Sequence, residues 1–217
     1  MGYGIWRKDN AMARIAIIGT GRMASGLGSG WARAGHAVVF GSRSPDAKGE
    51  LQSRTNNATV TTQEAALTDA EIVVLAMPFP AVEPFARANA AQLRGKVVID
   101  ISNPFSHLPD NRVAGAELTA AAIGADAHVV AAFKANFAGT LAEPVDPKGI
   151  QRDVHYAGDS DLAKTLVARL IVDLGFQPVD CGALHNARIM DGMVPLILEL
   201  DRLHAGGAMH SSWKLLT

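Results

Sequence analysis

The chain has 217 residues, 48% of them hydrophobic and 19% charged, with a formal net charge of −1. That is apolar material for one large domain, or one domain with a small appendage, and does not indicate a disordered chain; nothing in the near-neutral balance suggests a basic surface for nucleic acid or anionic lipid. The single cysteine, Cys181, excludes an intrachain disulfide and a multi-thiolate metal site, and no apolar run reaches the roughly 20 residues of a spanning helix.

Residues 1–13 are expected to be an N-terminal extension. They lack the apolar centre of a signal peptide, and Met12 offers a second start. Residues 14–18 are apolar and β-branched, as a buried parallel strand requires. Residues 23–34 follow as a helix ended by Gly35, and 37–40 as a second strand. Ser44-Pro45-Asp46 opens a turn into a short polar helix. Thr59-Val60 is a weak third strand that leads into a helix start at Thr62. Residues 71–76 form a strong strand stopped by Met77-Pro78, and a helix then runs to about residue 93. Residues 96–101 are a fifth strand ending in Ser102-Asn103-Pro104, 116–123 an alanine-rich helix, and 128–133 a sixth strand. A Pro/Gly/charge cluster at 144–149 predicts a loop. Residues 154–158 are a short strand, and Asp159 or Ser160 caps a helix that Gly175 ends. Residues 176–180 are a further strand. Residues 183–204 are helical, with Pro195 expected to kink the helix or start a new segment. The alternation predicts an α/β fold, a Rossmann-type doubly wound parallel sheet over 14–180, with a small C-terminal helical extension over 181–217.

The most informative stretch is the first strand–turn–helix. Gly19 permits a tight turn, Gly21 lets backbone approach a pyrophosphate, and Ala24 allows close helix packing. The helix start adds amide donors and partial positive charge. At the end of the second strand an NAD protein would carry an acid for the ribose 2′-hydroxyl; this chain has Gly41-Ser42-Arg43. An arginine pairs with a 2′-phosphate and a serine hydrogen-bonds it, so NADP(H) is the expected cofactor. Arg22 is within reach of a phosphate. Ligands in such sheets bind beyond the carboxyl ends of strands, which places Met77 and Pro78 by the adenosine ribose and Ser102 with Asn103 near the nicotinamide ribose. No HExxH metal pair and no GxSxG nucleophile turn occurs, so no catalytic side-chain set and no metal site are expected. The Leu/Met stripe over 190–203 reads as core or as a dimer seam.

Ile-Gly-Thr-Gly at 18–21, Gly-Ser-Arg at 41–43, Ile-Ser-Asn-Pro at 101–104, Gly-Phe-Gln-Pro-Val-Asp-Cys-Gly at 175–182 and Asn-Ala-Arg at 186–188 occur in one order. In that order the chain resembles the NADPH-dependent coenzyme F420 reductases, from about residue 14 to the C-terminus. The sheet domain is also similar to the NADPH domain of membrane ferric reductases. The resemblance implies hydride transfer between NADP(H) and the deazaflavin coenzyme F420, without a side-chain acid or base at the transferring atoms. It implies cofactor contacts at Thr20, Arg22, Met23, Ser42, Arg43, Met77 and Asn103, and often a homodimer; the single cysteine, Cys181, fits a cytoplasmic protein. Related chains carry Lys-Ala-Phe-Asn after the sixth strand, where this one has Phe133-Lys134-Ala135-Asn136-Phe137. Phe133, Lys134, Asn136 and Phe137 are therefore the candidates for the pocket of the small-molecule hydride acceptor. Lys134 is read either as pairing with that acceptor or as a solvated loop lysine. A flavin, quinone or small carbonyl acceptor, or an NADP-sensing module without turnover, are the alternatives.

Overall fold

The computed structural model describes residues 12–48, 51, 55, 58–105 and 112–217, so the expected extension lies almost wholly outside the described residues. In chain order the elements are β1 (Arg14–Ile18), α1 (Arg22–Arg33), β2 (Ala37–Ser42), β3 (Thr59–Thr62), α2 (Gln63–Leu67), β4 (Ile72–Leu75), α3 (Phe79–Ala88), α4 (Ala90–Leu93) and β5 (Val97–Asp100). There follow α5 (Gly115–Ile123), β6 (His128–Ala132), β7 (Asp153–Gly158), α6 (Asp161–Asp173), β8 (Gln177–Asp180) and α7 (Ala187–His204). Short 3-10 turns lie at Pro45–Lys48, Ala138–Ala142 and Leu184–Asn186.

The strands make one sheet in the order β3-β2-β1-β4-β5-β6-β7-β8. Both faces are covered, which is why the central strands read as unbroken apolar runs. Side chains alternate between the faces. Ile15, Ile17, Val74, Ile99 and Val130 enter one core with Trp31 of α1 and Val167 and Ile171 of α6. Ala16, Ile18, Leu75, Val98 and Ala131 enter the other with Val82 of α3, Ile123 of α5 and Met190 of α7. The helix expected as an appendage from residue 181 onward thus shares a core with the sheet.

Two expectations are corrected. The sheet is not wholly parallel: β7 pairs with β6 antiparallel, in the register Ala131↔Ala157. The 20 residues between these strands hold only a 3-10 turn and a loop, with no helix to cross the sheet, so the chain doubles back at the carboxyl edge. The α6 crossover then makes β8 parallel to β7. Nor does Pro195 start a new segment, one of its two expected effects, since α7 continues through it. Pro195 is exposed, and Val194 and Ile197 beside it are buried, so burial of the opposite face holds the helix through one missing backbone donor.

The β1–α1 turn depends on Gly19. Its φ is 129°, and a Cβ there would collide with the carbonyl oxygen of Ala76, just past β4. The obstacle is backbone, which cannot rotate aside. Gly19→Ala is expected to cost more than about 2 kcal/mol, combining left-handed strain with the clash. Denaturant unfolding checks this.

Candidate functional site

Strand register builds the site. Gly41, Ile18, Leu75, Asp100 and Ala131 are paired side by side across β2, β1, β4, β5 and β6. The next residue of each strand therefore lies along one carboxyl edge: Ser42, Gly19, Ala76, Ile101 and Ala132. Strand order reverses between β1 and β4, the switch point at which open α/β sheets leave a crevice for a ligand. Residues far apart in the chain meet there because parallel strands all end at the same side.

On the β1–β2 side the turn 19–21 leads into α1. Gly19 donates its amide to Gly41 O at 3.0 Å. Gly21 sits at the N-cap, where it has no side chain to cap the helix, and the first turn contains no acid. The start of α1 is thus open to an anion, favoured by the amides and the helix dipole. Thr20 is partly exposed, Arg22 is exposed at the head of α1, and Met23 packs partly against the core. Ser42 ends β2, is buried, and accepts a hydrogen bond from Ser44 N through Oγ at 3.1 Å. Arg43 is exposed and has no ion pair or side-chain hydrogen bond among the described residues. Its guanidinium is available to an anion.

On the other side Met77 is half-buried, and Pro78 is exposed at the N-cap of α3. Ser102 is turned inward: its amide and hydroxyl both donate to Asp100 Oδ1, at 2.8 and 2.7 Å. Asp100 is fully buried and also accepts from Thr119 Oγ1 at 2.7 Å. The Ser102 hydroxyl is thus committed to the core, in contrast to the expectation of a ribose contact. Asn103 donates Nδ2 to Lys134 O at 3.0 Å, while its Oδ1 is buried without a partner.

The segment expected to face an acceptor divides. The Phe133 ring packs edge-on against Trp31, with centroids 6.1 Å apart, and supports the edge from behind. Lys134 fits neither expectation for it. Its side chain is 1% exposed; Nζ donates to Ser102 O at 2.6 Å and pairs with Asp191 Oδ1 at 2.9 Å. Asp191 Oδ1 accepts no hydrogen bond, so its contact with Nζ is an ion pair. Only Asn136 and Phe137 remain at the surface of the edge, and Asn136 Nδ2 donates to Asp153 O at 3.0 Å. Asn136 lines a recess with His155, Met190, Met193 and Trp213, with Lys134 at its base. Burial pushes the His155 imidazole below its ordinary pKa, so it is neutral at pH 7.

Asp191, Asp201 and Trp213 are parts that sequence reasoning missed. Asp201 near the end of α7 is 1% exposed and accepts the amides of Met209, His210 and Ser211 at 2.7, 3.0 and 2.9 Å. This turns the tail back over the sheet. Arg152 donates to His210 O at 2.7 Å, and Lys214 pairs with buried Asp153 at 2.6 Å. Trp213 is thereby brought to the recess. Two stretches singled out for their resemblance have structural roles. Asn186 Nδ2 donates to Cys181 O at 2.6 Å, and Arg188 grips Glu117 with two bonds of 2.7 and 2.6 Å. That hydrogen bonding holds the Glu117 carboxyl below its ordinary pKa. Among the described residues there is no cluster of acids, histidines and cysteine fit for a metal, and no helix long and apolar enough to cross a membrane.

A family model described as "NADP oxidoreductase coenzyme F420-dependent" matches residues 14–104. The chain is 30% identical over 212 residues to the F420-dependent NADP reductase of Methanothermobacter thermautotrophicus, covering 87% of this chain and 89% of that one. It is 33% identical over 186 residues to metalloreductase STEAP3 of Rattus norvegicus, but spans only 37% of that protein's length. A solved structure from Arthrobacter sp. FB24, assigned as an F420-dependent NADP-reductase, superposes with a TM-score of 0.85 at 26% identity, covering 94% of this chain and all of that one. Fold and comparisons together define an NADP-dependent oxidoreductase. The chain belongs to the F420-dependent NADP reductase family.

The Asp201 latch yields a prediction. The Ser211 hydroxyl foremost, with the three amides, holds the Asp201 carboxyl down at about 2 against an ordinary 3.8. A depressed carboxylate stabilises the docked tail above the ordinary value, and that stabilisation is lost as pH falls through about 2. Asp201→Asn is expected to release the tail at neutral pH. Hydrogen exchange at residues 209–215 should accelerate at least about tenfold while the strands stay protected.

Proposed function

We propose that this chain transfers a hydride between NADP(H) and a deazaflavin of the coenzyme F420 type. The observation that carries the reading is the end-to-end match with an F420-dependent NADP reductase, 87% of one chain against 89% of the other. The metalloreductase match leaves most of that protein unmatched.

The residues present fit NADP(H). Arg43, which has no ion pair or side-chain hydrogen bond among the described residues, follows β2, an uncapped helix start follows the glycine turn, and an orphaned acceptor, Asn103 Oδ1, lies across β4. Arg43 and Ser42 would hold the 2′-phosphate, and Gly19, Thr20, Gly21, Arg22 and Met23 the pyrophosphate. Met77 and Pro78 would line the middle of the crevice and Asn103 would orient the nicotinamide half. When bound, the dihydronicotinamide supplies the hydride. The protein's task is to hold two rings in register and keep water out. Asn136, Phe137, Met193 and Trp213 would do so at the acceptor end. Hydride transfer itself needs no side-chain proton donor, and Lys134 is held by Asp191.

A homodimer is also proposed. Ile189, Leu196 and Leu203 lie seven residues apart on α7 and are 66%, 51% and 56% exposed. That spacing makes one apolar seam along the helix, suited to the same seam of a second copy. Leu196→Glu is expected to give a monomer by light scattering, with the fold intact by circular dichroism.

Arg43→Glu is expected to raise the KM for NADPH at least about tenfold while the KM for NADH changes little. An equal effect on both would remove 2′-phosphate recognition from the reading. Mixed with NADPH, the protein should reduce a deazaflavin, followed by absorbance, and leave FMN oxidised. Turnover of FMN alone would move the reading to a flavin reductase, and tight NADPH binding with no turnover on any acceptor would favour a sensor.

A further inference from the structure

The orphaned oxygen of Asn103 faces a fixed direction. Its Nδ2 donates to Lys134 O, and a carbonyl can only accept, so the amide cannot be reversed. Oδ1 is left buried and unpartnered. An acceptor so placed costs free energy until a donor reaches it. The glycine turn marks the pyrophosphate position, and Asn103 lies on the side of the switch point away from Arg43. The donors of that half of a dinucleotide are the ribose hydroxyls and the carboxamide NH2.

The carbonyl that orients Asn103 is itself under constraint. Phe133, the residue before Lys134, has a φ of 55°, in the left-handed region that a side chain disfavours. Such a backbone persists only where its surroundings over-determine it. The Phe133 ring is locked against Trp31 on one face of the sheet. On the other, Lys134 Nζ is held by Ser102 O and by Asp191. Asp191 spends its second oxygen on Gly115 N, at 2.9 Å, and so caps α5 from α7. Ala114, at the N-cap of α5, has no side-chain acceptor of its own. One carboxylate therefore joins α7, the start of α5 and the turn after β6.

We propose that Asp191 is a positioning residue for the nicotinamide half of NADP(H). Acting through Lys134, it holds the turn after β6 so that Asn103 presents Oδ1 to a donor on that half. The inference rests on the reading that this chain binds NADP(H). An asparagine at 191 is neutral, so it can keep the hydrogen bond from Gly115 N through its one oxygen but loses the ion pair with Lys134.

The test separates the two halves of the ligand. Affinities for 2′,5′-ADP and for NADP+ are measured by calorimetry on the full chain, on Asp191→Asn, on Asn103→Ala and on the double variant. Asp191→Asn is expected to weaken NADP+ about tenfold and leave 2′,5′-ADP within about twofold. Asn103→Ala should do the same, and the double variant should be no weaker than Asn103→Ala alone, because one residue acts through the other. Loss of stability by itself would not move the ratio of the two affinities. Should Asp191→Asn fail to fold, the pair Lys134→Met with Asp191→Leu removes both charges together and is expected to show the same selective loss. An unchanged ratio, or additive effects in the double variant, overturns the role of Asp191 while leaving NADP(H) binding intact. A wild-type protein that binds neither ligand overturns the cofactor reading and this inference with it.

Discussion

A buried ammonium has to be compensated, and in this protein the compensation reaches across the molecule. Lys134 lies at the end of β6 with almost no access to water. Its partners are a carbonyl from the turn after β5 and a carboxylate from α7. Asp100, 3.9 Å away, adds a second negative charge. Removing one member of such a pair typically costs roughly 3–5 kcal/mol, because the other charge is left buried alone. The C-terminal helix is therefore bound to the carboxyl edge of the sheet electrostatically as well as by the packing of Met190. The edge that would receive a ligand is built from both ends of the chain.

The same edge explains why the second half of the chain departs from a simple doubly wound pattern. Up to β6 the strands run parallel, and helices carry the chain back across the sheet after β1, β3, β4 and β5. After β6 the chain remains at the carboxyl side and returns as β7. The loop this leaves would be an open flank. It is covered by the tail, which Asp201 turns back and which Arg152 and the Lys214–Asp153 pair hold down. One end of the crevice thus has walls made by strand termini, and the other has a wall made by residues 208–215.

Much of this was legible in the residues. The strands showed as β-branched runs because burial on both faces leaves no polar alternation. The turn at 19–21 and the Ser42-Arg43 pair showed because their geometry is local: a tight turn needs a glycine at that point, and strand register then fixes the separation to the end of β2. The 175–182 and 186–188 stretches were also visible as a pattern. Their roles, Asn186 holding Cys181 and Arg188 holding Glu117, were not.

By itself, then, the sequence determined the strand–helix alternation, the glycine turn and the cationic end of β2, because each depends on neighbours within a few residues. Only the tertiary structure decided which way β7 runs, that Phe133 turns into the core, that Lys134 finds Ser102 and Asp191, and that Lys214 finds Asp153. These depend on groups tens of residues apart: 32 between Lys134 and Ser102, 61 between Lys214 and Asp153. A polar residue in a loop has the same appearance in sequence whether it faces water or a buried opposite charge. Which it faces is settled by the packing of whole elements, and no local spacing encodes that.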